Sequence, residues 1–533
     1  MHTIDAVVAL ILVATVVAMA TRRLRLPYTI ALVVVGIGMH EVGAVPPLHL
    51  TQELLMTVLL PALLFEAAIH VQARELRQVS TAVVTLAIPG VLLAMSATGL
   101  VLFTEVRAIG EGEALPWQLA LLFGALIAAT DPISVVSLFK QLGVSRRLGV
   151  LVEGESLLND GTGVVVFGIV LAMALGQPTS AGGAIWQFVL VFAGGAIIGA
   201  AIGLLASWAT AQVDDHLIEI ALTTVTAWGA FLIAERIHVS GVIATVVAGL
   251  MVGNIGKTRG MSPTSREAVL SFWEYAAFFI NSIVFLLLGL EVSLGAMWEH
   301  KAAIGLAFVA VLVGRAVAVY APLPLLRRLG QSLDGRSATV LFWGGLRGSL
   351  SMVLAMSLPR DLPGRELIVT MTFGVVVLSI LVQGSTMGLV LRRLGLVRSR
   401  SEAVRWLDLR LARLRVLRAQ LQAVQIIDDD HGEPDMILQP VHARLENERA
   451  ALVQEMETRL ADVTQTEMAG AVATRREEID AHLLEVARDA LRELTADGLL
   501  DEHMAAQLGS ELLQARDQSL DIPAPAVPPT PER

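Results

Sequence analysis

An all-α polytopic membrane protein, with about thirteen transmembrane helices followed by a helical cytoplasmic tail, is the fold class this sequence predicts. Three observations predict it. Of the 533 residues, 55% are hydrophobic and only 17% charged, against roughly 45–50% and 25% in soluble domains. That balance excludes a soluble enzyme, a collagen and a disordered scaffold. Next, roughly 20 apolar residues make one crossing of a bilayer, and the chain carries thirteen apolar runs separated by charge, Pro or Gly. Finally, charge is segregated: residues 1–396 hold 23 Lys/Arg and 23 Asp/Glu, whereas 397–533 hold 16 against 26, so the net charge of −10 sits in the last quarter. The expected organisation is a transmembrane body over 1–396, an acidic and mostly helical tail over 397–521, and a Pro-rich disordered end over 522–533. The chain has no cysteine, which excludes disulfides, thiolate metal sites and Cys nucleophiles. A basic face for nucleic acid is also absent from this pattern.

The runs fall near 4–20, 28–44, 51–71, 79–103, 117–139, 148–172, 185–208, 216–235, 239–253, 270–290, 302–320, 337–357 and 366–391. In the first, Ala18-Met19-Ala20 looks like a cleavage site, but the positive cluster Arg22, Arg23, Arg25 follows the apolar stretch instead of preceding it. A signal peptide needs the opposite order, so the expectation is an uncleaved helix with its N-terminus outside. Thirteen spans from that start put the C-terminus in the cytoplasm. The positive-inside rule agrees, since the inner loops then hold 18 Lys/Arg and the outer loops 5. The ninth run is short for a span, and the fifth and twelfth are interrupted.

The informative residues are charges inside these runs. An ionised group at mid-membrane costs roughly 2.5–3.5 kcal/mol or more, so each needs a partner or a purpose. Those deep in spans are Glu66, Asp131, Glu153, Glu155, Asp160, Arg315 and Arg347, while Glu235, Glu274 and Glu291 fall near span ends. Asp131 lies in Thr130-Asp131-Pro132, midway through the fifth run. Proline removes a backbone donor and disfavours helix at the residue before it. A break inside a bilayer is tolerated only where it lines a cavity or site, and a carboxylate beside freed carbonyls makes an oxygen-rich cradle for a small monovalent cation. The blander reading is a proline kink with a backbone-bonded aspartate.

In Glu155-Ser156-Leu157-Leu158-Asn159-Asp160, helical spacing gives two polar stripes, Ser156 with Asp160 and Glu155 with Asn159. The apolar stretch Val164 to Leu175 places them on a helix and not in a loop. In Gly344-Gly345-Leu346-Arg347-Gly348, three glycines weaken the helix around a buried arginine. Interrupted segments at corresponding places, spans five and twelve, point to an inverted-repeat transporter. A buried guanidinium needs a carboxylate, and Glu155 is the expected partner of Arg347. Glu66 either joins the cation path or is a neutral, hydrogen-bonded acid, and His70 is read as a span-end residue.

The tail opens on a basic amphipathic stretch, Arg405 to Arg418, with Leu407, Leu411, Leu414, Leu417 and Leu421 at helical spacing. An acidic break follows at 428–434, and helical pattern then runs to about Gln514. A solvated appendage and a regulatory or dimer-supporting element, with an unknown regulator, are the two readings.

The Thr130-Asp131-Pro132 break, the Glu155 to Asp160 run and the Gly344 to Gly348 element resemble the hallmark motifs of the sodium/proton exchanger branch of the monovalent cation/proton antiporters. Phe65-Glu66-Ala67 and Phe272-Trp273-Glu274 fit the same pattern, and the resemblance covers roughly residues 5–395. It implies a homodimer whose core domain moves against a dimerisation domain. It implies that Asp160 carries the exchanged cation or proton, and that Asp131, Ser156, Glu66 and the Thr130 carbonyl help to coordinate the cation. Asn159 and Glu155 would join Arg347 in a structural network, with Arg315 filling the place of a second family arginine of undetermined role. The Asn159-Asp160 pair marks relatives usually taken as electroneutral.

The expected function is therefore secondary antiport of Na⁺, with Li⁺ as a further substrate, against H⁺ in a bacterial plasma membrane, serving pH and sodium homeostasis. It is not an enzyme: neither a His-Glu-x-x-His motif nor a Gly-x-Ser-x-Gly elbow appears. No cofactor is expected; the partners are monovalent cations, protons, membrane lipid and a second copy of the chain. K⁺/H⁺ exchange on the same fold is the nearest alternative. A cation channel or an ion sensor signalling through the tail is the alternative of another class.

Overall fold

The structure is a computed structural model describing residues 2–24, 28–43, 54–108, 115–178, 180–257, 260–291, 294–331 and 333–397, and, in the tail, 406, 409–418, 420–421, 424 and 435–462. Every regular element among these residues is helical. Two compact units divide the chain, Met1–Arg398 and Ser399–Arg533.

In the first unit, α1 (His2–Leu24) and α2 (Tyr28–Val42) are followed by a π-helical turn, Leu54–Leu59, that runs into α3 (Leu60–His70). Helices α4 (Ala73–Ala87) and α5 (Pro89–Ala108) are divided at Pro89, which lacks the amide a continuous helix would use. The fifth run is two half-helices, α6 (Trp117–Leu126) and α7 (Ile133–Leu142), with non-helical chain between them. The long helices α8 (Arg146–Ala174), α9 (Ala181–Thr210) and α10 (His216–Arg236) follow. Next come α11 (Gly241–Met251), with a π turn Val252–Gly256, α12 (Pro263–Glu291), the short α13 (Leu294–Glu299), α14 (Lys301–Tyr320) and the short α15 (Leu323–Arg328). The twelfth run again splits, into α16 (Gly335–Trp343) and α17 (Ser349–Met356). The last is α18 (Arg365–Leu378), continued by a π turn, Ser379–Gly384, and α19 (Ser385–Arg393).

Local chemistry sets these ends. Asp215 accepts the Leu217 amide at 2.8 Å, Ser240 the Ile243 amide at 3.2 Å and Asp334 the Ser337 amide at 3.1 Å, satisfying donors that open a helix without partners. Gly143, at φ +67°, closes α7 in the left-handed conformation that turns the chain into α8.

Seven helices are long and apolar enough to cross a membrane, and six shorter apolar helices accompany them among the described residues. The two broken spans need both halves. Their pieces have 8–10 residues, about 12–15 Å at 1.5 Å per residue, up to half the hydrocarbon thickness.

The helices sort into two packed groups. In one, α5 lies against α6 and α14, α4 and α6 against α8, and α14 and α17 against α18. Spans four to six and eleven to thirteen thus make one bundle, and each half of it contains one broken helix. In the other, α2 packs on α12, and α11 on α3, α9 and α10. The groups meet chiefly along α8, which touches α9, α11 and α3. There Gly161 of α8 leaves the space that the Ile243 side chain of α11 fills.

In the second unit, the basic stretch is helical over 409–418. Leu417 packs with Leu452 and Met456 of the helix Asp435–Asp462. Arg410–Glu455 at 2.8 Å and Arg413–Glu448 at 2.5 Å run antiparallel along this hairpin. The buried leucines hold it, since exposed ion pairs contribute little. The acidic break, the helical pattern beyond 462 and the Pro-rich end over 522–533 lie outside the described residues.

Candidate functional site: the crossing of two broken helices

The two interruptions meet. The Asp131 amide donates to the Leu346 carbonyl at 2.8 Å, one unwound stretch bonding directly to the other. Four half-helix ends surround this point, and broken helices leave carbonyls free at one end and amides at the other. The chain answers each with a charge of the right sign. Asp131 sits at the opening of α7 and accepts the Ile133 amide at 2.9 Å. Arg347 reaches the closing end of α6, donating to the Ala128 carbonyl at 2.8 Å and the Ala129 carbonyl at 3.2 Å.

This placement corrects the expected ion pair. Glu155 is held by Arg315, not by Arg347: Nη1 donates to Oε1 at 2.7 Å and Nη2 to Oε2 at 3.1 Å. The fork also donates to the Leu341 carbonyl, through Nε at 3.2 Å and Nη2 at 2.9 Å. Arg315 can lie so close because Gly345 has no side chain; a Cβ there would come within 2.5 Å of the Arg315 Nε. The physical reason for the exchange of partners is geometric. Arg347 leaves an unwound stretch pointed at exposed carbonyls, whereas Arg315, on the intact α14, presents a planar fork to a carboxylate. Spacing along the sequence shows that both arginines are buried and does not show which one reaches Glu155.

Helix α8 supplies the rest. The Ser156 hydroxyl donates to the Thr130 carbonyl. Asn159 Nδ2 faces the Ala128 carbonyl at 3.3 Å, Thr130 Oγ1 at 3.2 Å and Glu155 Oε1 at 3.4 Å. Thr130, Glu155, Ser156 and Asn159 are all buried. A turn beyond Ser156, Asp160 is only part-buried, and its carboxylate makes no hydrogen bond or ion pair among the described residues. The charges acting on it are the carboxylates of Asp131 and Glu155. Glu155 is already neutralised by Arg315, which leaves Asp131 as the uncompensated acid acting on Asp160.

Sequence reasoning did not identify two supports of the second break. Ser379 Oγ accepts the Arg347 amide at 3.1 Å, and Gln383 Nε2 donates to the Trp343 carbonyl at 3.2 Å. Both lie on the π turn Ser379–Gly384, a local widening that nothing in their spacing signals.

Glu66 is placed in different company. Its Oε1 lies 3.4 Å from His70 Nδ1, and His70 Nε2 lies 3.7 Å from Glu274. The charges acting on Glu66 are Lys140, Glu274 and Glu153. No hydrogen bond or ion pair among the described residues joins it to Thr130, Asp131, Ser156 or Asp160. The Phe65 and Trp273 elements do come together, their rings 4.7 Å apart, with the Trp273 indole donating to Thr223 at 3.0 Å.

The arrangement suits a small monovalent cation or a proton. It offers two carboxylates, a main-chain carbonyl and a hydroxyl near the crossing, and among the described residues Asp160 is the acid there without a hydrogen-bond or ion-pair partner. Comparison with known proteins agrees with this chemistry. Residues 8–393 match the family model described as sodium/hydrogen exchanger, transmembrane. The chain is 40% identical over 417 residues to the Na⁺/H⁺ antiporter ApNhaP of Aphanothece halophytica, covering 77% of this chain and 78% of that one. It is 37% identical over 418 residues to the Na⁺/H⁺ antiporter NhaP of Pseudomonas aeruginosa, covering 73% and 97%. Its fold resembles that of the sodium proton antiporter MjNhaP1 from Methanocaldococcus jannaschii, with a TM-score of 0.62 over 74% of this chain and 99% of that one, at 18% identity.

Proposed function

The chain belongs to the sodium/hydrogen exchanger transmembrane family, and we propose from this premise that it exchanges Na⁺ for H⁺ across a membrane, the two ions competing for Asp160. The carrying observation is Asp160, one turn beyond the Ser156 that bonds the Thr130 carbonyl of the break, with a carboxylate that makes no hydrogen bond or ion pair among the described residues. Every other charged group there is committed: Glu155 to Arg315, Arg347 to carbonyls, and Asp131 in part to the Ile133 amide.

A proton or a cation relieves the repulsion between the two acids equally well, so one displaces the other. Na⁺ takes oxygens from Asp160, Asp131, Ser156 and the Thr130 carbonyl, and Li⁺, smaller and equally hard, fits the same set. Asn159 carries no proton of its own to exchange, which favours one cation per proton and electroneutral turnover. Glu66, with His70 and Glu274, stands on the route to the crossing and not in its first ring of oxygens.

The packing into two helix groups supports alternating access, the bundle with both broken helices moving against the group of α1–α3 and α9–α12 and carrying the site from one face to the other. The working assembly in this reading is a homodimer in a bacterial plasma membrane, with the N-terminus outside and the tail in the cytoplasm, serving pH and sodium homeostasis.

Protein reconstituted in liposomes, with Na⁺, Li⁺ and K⁺ pulses read by a lumenal pH dye, tests this. Wild type should respond to Na⁺ and Li⁺, lose the response at acid pH where protons outcompete the cation, and lose it at every pH in Asp160→Asn. A response to K⁺ alone would reassign the substrate, and full exchange by Asp160→Asn would falsify the site.

A further inference from the structure

A cavity of about 240 Å³ opens at the arginine-rich end of the bundle, where α4, the start of α8 and the chain between α15 and α16 come together. Its walls are of two kinds. Val79, Ala82, Leu148 and Leu151 are among the apolar ones, and the charged groups on the wall are one arginine, Arg147, and one acid, Asp334. This volume lies below the roughly 300–1,000 Å³ of pockets for drug-sized ligands, which suits a small polar headgroup.

The charge around it is one-sided. Segments 73–79, 145–148 and 327–337 carry Arg74, Arg77, Arg146, Arg147, Arg327, Arg328 and Arg336 against only Glu75 and Asp334. Glu75 is paired with Arg146 at 2.6 Å. Asp334, itself on the cavity wall, caps its own helix by accepting the Ser337 amide at 3.1 Å and keeps its negative charge, so the excess of arginines lies around the cavity more than on its wall. Arg147, the arginine on the cavity wall, has no acid partner among the described residues.

The surroundings also separate a lipid from a soluble anion. Leu325 and Leu329, on and just after α15, are 50% and 53% exposed and flank the exposed Arg327 and Arg328. Exposed leucines on either side of an arginine pair, on a short helix at the ends of spans, suit the headgroup and acyl-chain boundary. Helix α15 packs on α4, which also lines the cavity.

We propose that this cavity binds the headgroup of an anionic phospholipid, the phosphate against Arg147 and the glycerol carbons on the Leu148 and Leu151 floor. The cavity is walled by α4, by α8, which carries Asp160, and by the opening of α16, the first half of the broken span that precedes Arg347. A bound lipid therefore clamps the three elements that must stay together when the bundle moves. The binding does not depend on which cation is exchanged.

Thermal unfolding of delipidated full-length protein in neutral detergent, followed by tryptophan fluorescence, tests it without any transport readout. Phosphatidylglycerol should raise the midpoint by about 3 °C, phosphatidylcholine and inorganic phosphate should not, and Arg147→Gln should lose most of the shift. Ala82→Leu, which fills the cavity and keeps every charge, should lose it too. An equal shift from phosphatidylcholine, a full shift in Arg147→Gln, or a shift retained in Ala82→Leu would each overturn the site. A shift from inorganic phosphate as large as that from phosphatidylglycerol would replace the lipid by a soluble anion.

Discussion

Residues 127–132 and 344–348 both interrupt a helix at the same point in space, yet they are held open by different means. The first break follows from proline at 132 and is stabilised from outside, by Ser156 and Asn159 of α8 on the Thr130 and Ala128 backbone and by Arg347 on the Ala128 and Ala129 carbonyls. The second follows from three glycines and is held by its neighbours on the π turn, Ser379 and Gln383. The first gathers acid and carbonyl oxygens, while the second supplies the guanidinium that bonds two of those carbonyls. Under the proposed function the first break is the binding surface and the second its scaffold. The charges at the crossing divide into those spent on architecture and those left free, and in that proposal only the latter take part in exchange.

Removing the scaffold's charge should have the largest effect. Arg347→Ala takes the guanidinium from the Ala129 carbonyl and leaves the Ala128 carbonyl with only the longer Asn159 contact, and each buried polar group left unpaired costs about 1–3 kcal/mol. The variant should unfold well below wild type and show no exchange. Arg347→Lys should recover only part of the stability, because an ammonium group is a more compact, more strongly hydrated donor than a guanidinium. A wild-type midpoint for Arg347→Ala would contradict the division between scaffold and surface.

The ion pair sharpens the same division. Glu155→Gln and Arg315→Gln should each destabilise by about 3 kcal/mol, since either leaves a buried charge alone, and the double variant should cost far less than their sum. Glu155→Gln combined with Arg347→Gln should show a weaker coupling, carried through Asn159 and the Ala128 carbonyl instead of a direct pair. Strong coupling of Glu155 to Arg347, measured in a thermal or denaturant cycle, would restore the pairing expected from sequence.

Gly348→Ala probes the contact between the breaks. A Cβ at 348 would lie 2.5 Å from the Asp131 Cβ and 2.8 Å from its Oδ2, so Asp131 must shift. Exchange should fall roughly 10–100-fold, as expected when a ligand is misplaced by about 1 Å, and the midpoint should fall less than in Arg347→Ala. Ser156→Ala should have the smallest effect, raising the half-maximal Na⁺ concentration about fivefold, near the 1 kcal/mol of one neutral hydrogen bond. An unchanged Na⁺ dependence in liposomes would remove Ser156 from the binding surface.

Much of this site is visible in one dimension. Thr130-Asp131-Pro132 announces a break because proline acts locally, and Ser156 and Asp160 share a helix face because helical spacing is fixed. The mutual position of Thr130, Ser156 and Asn159 is harder to read, for it depends on where α6 ends against α8. Glu66 shows the limit most plainly. Its depth in an apolar run marks it as a charge in need of a purpose, but whether it faces Asp160 or the His70, Glu274 and Lys140 group depends on the packing of α3.

By itself, then, the sequence determined that the body is helical and membrane-embedded, that spans five and twelve are broken, and that a few carboxylates and two arginines are buried with them. These follow from hydropathy, proline and glycine, whose effects reach only a turn or two along the chain. Only the tertiary structure decided that Arg315 takes Glu155, that Arg347 is turned to the carbonyls of the opposite break, and that Asp160 is left without a partner. Burial demands that each charge be compensated. It does not say by which group, and the choice is made by helices hundreds of residues apart in sequence that approach within hydrogen-bonding distance.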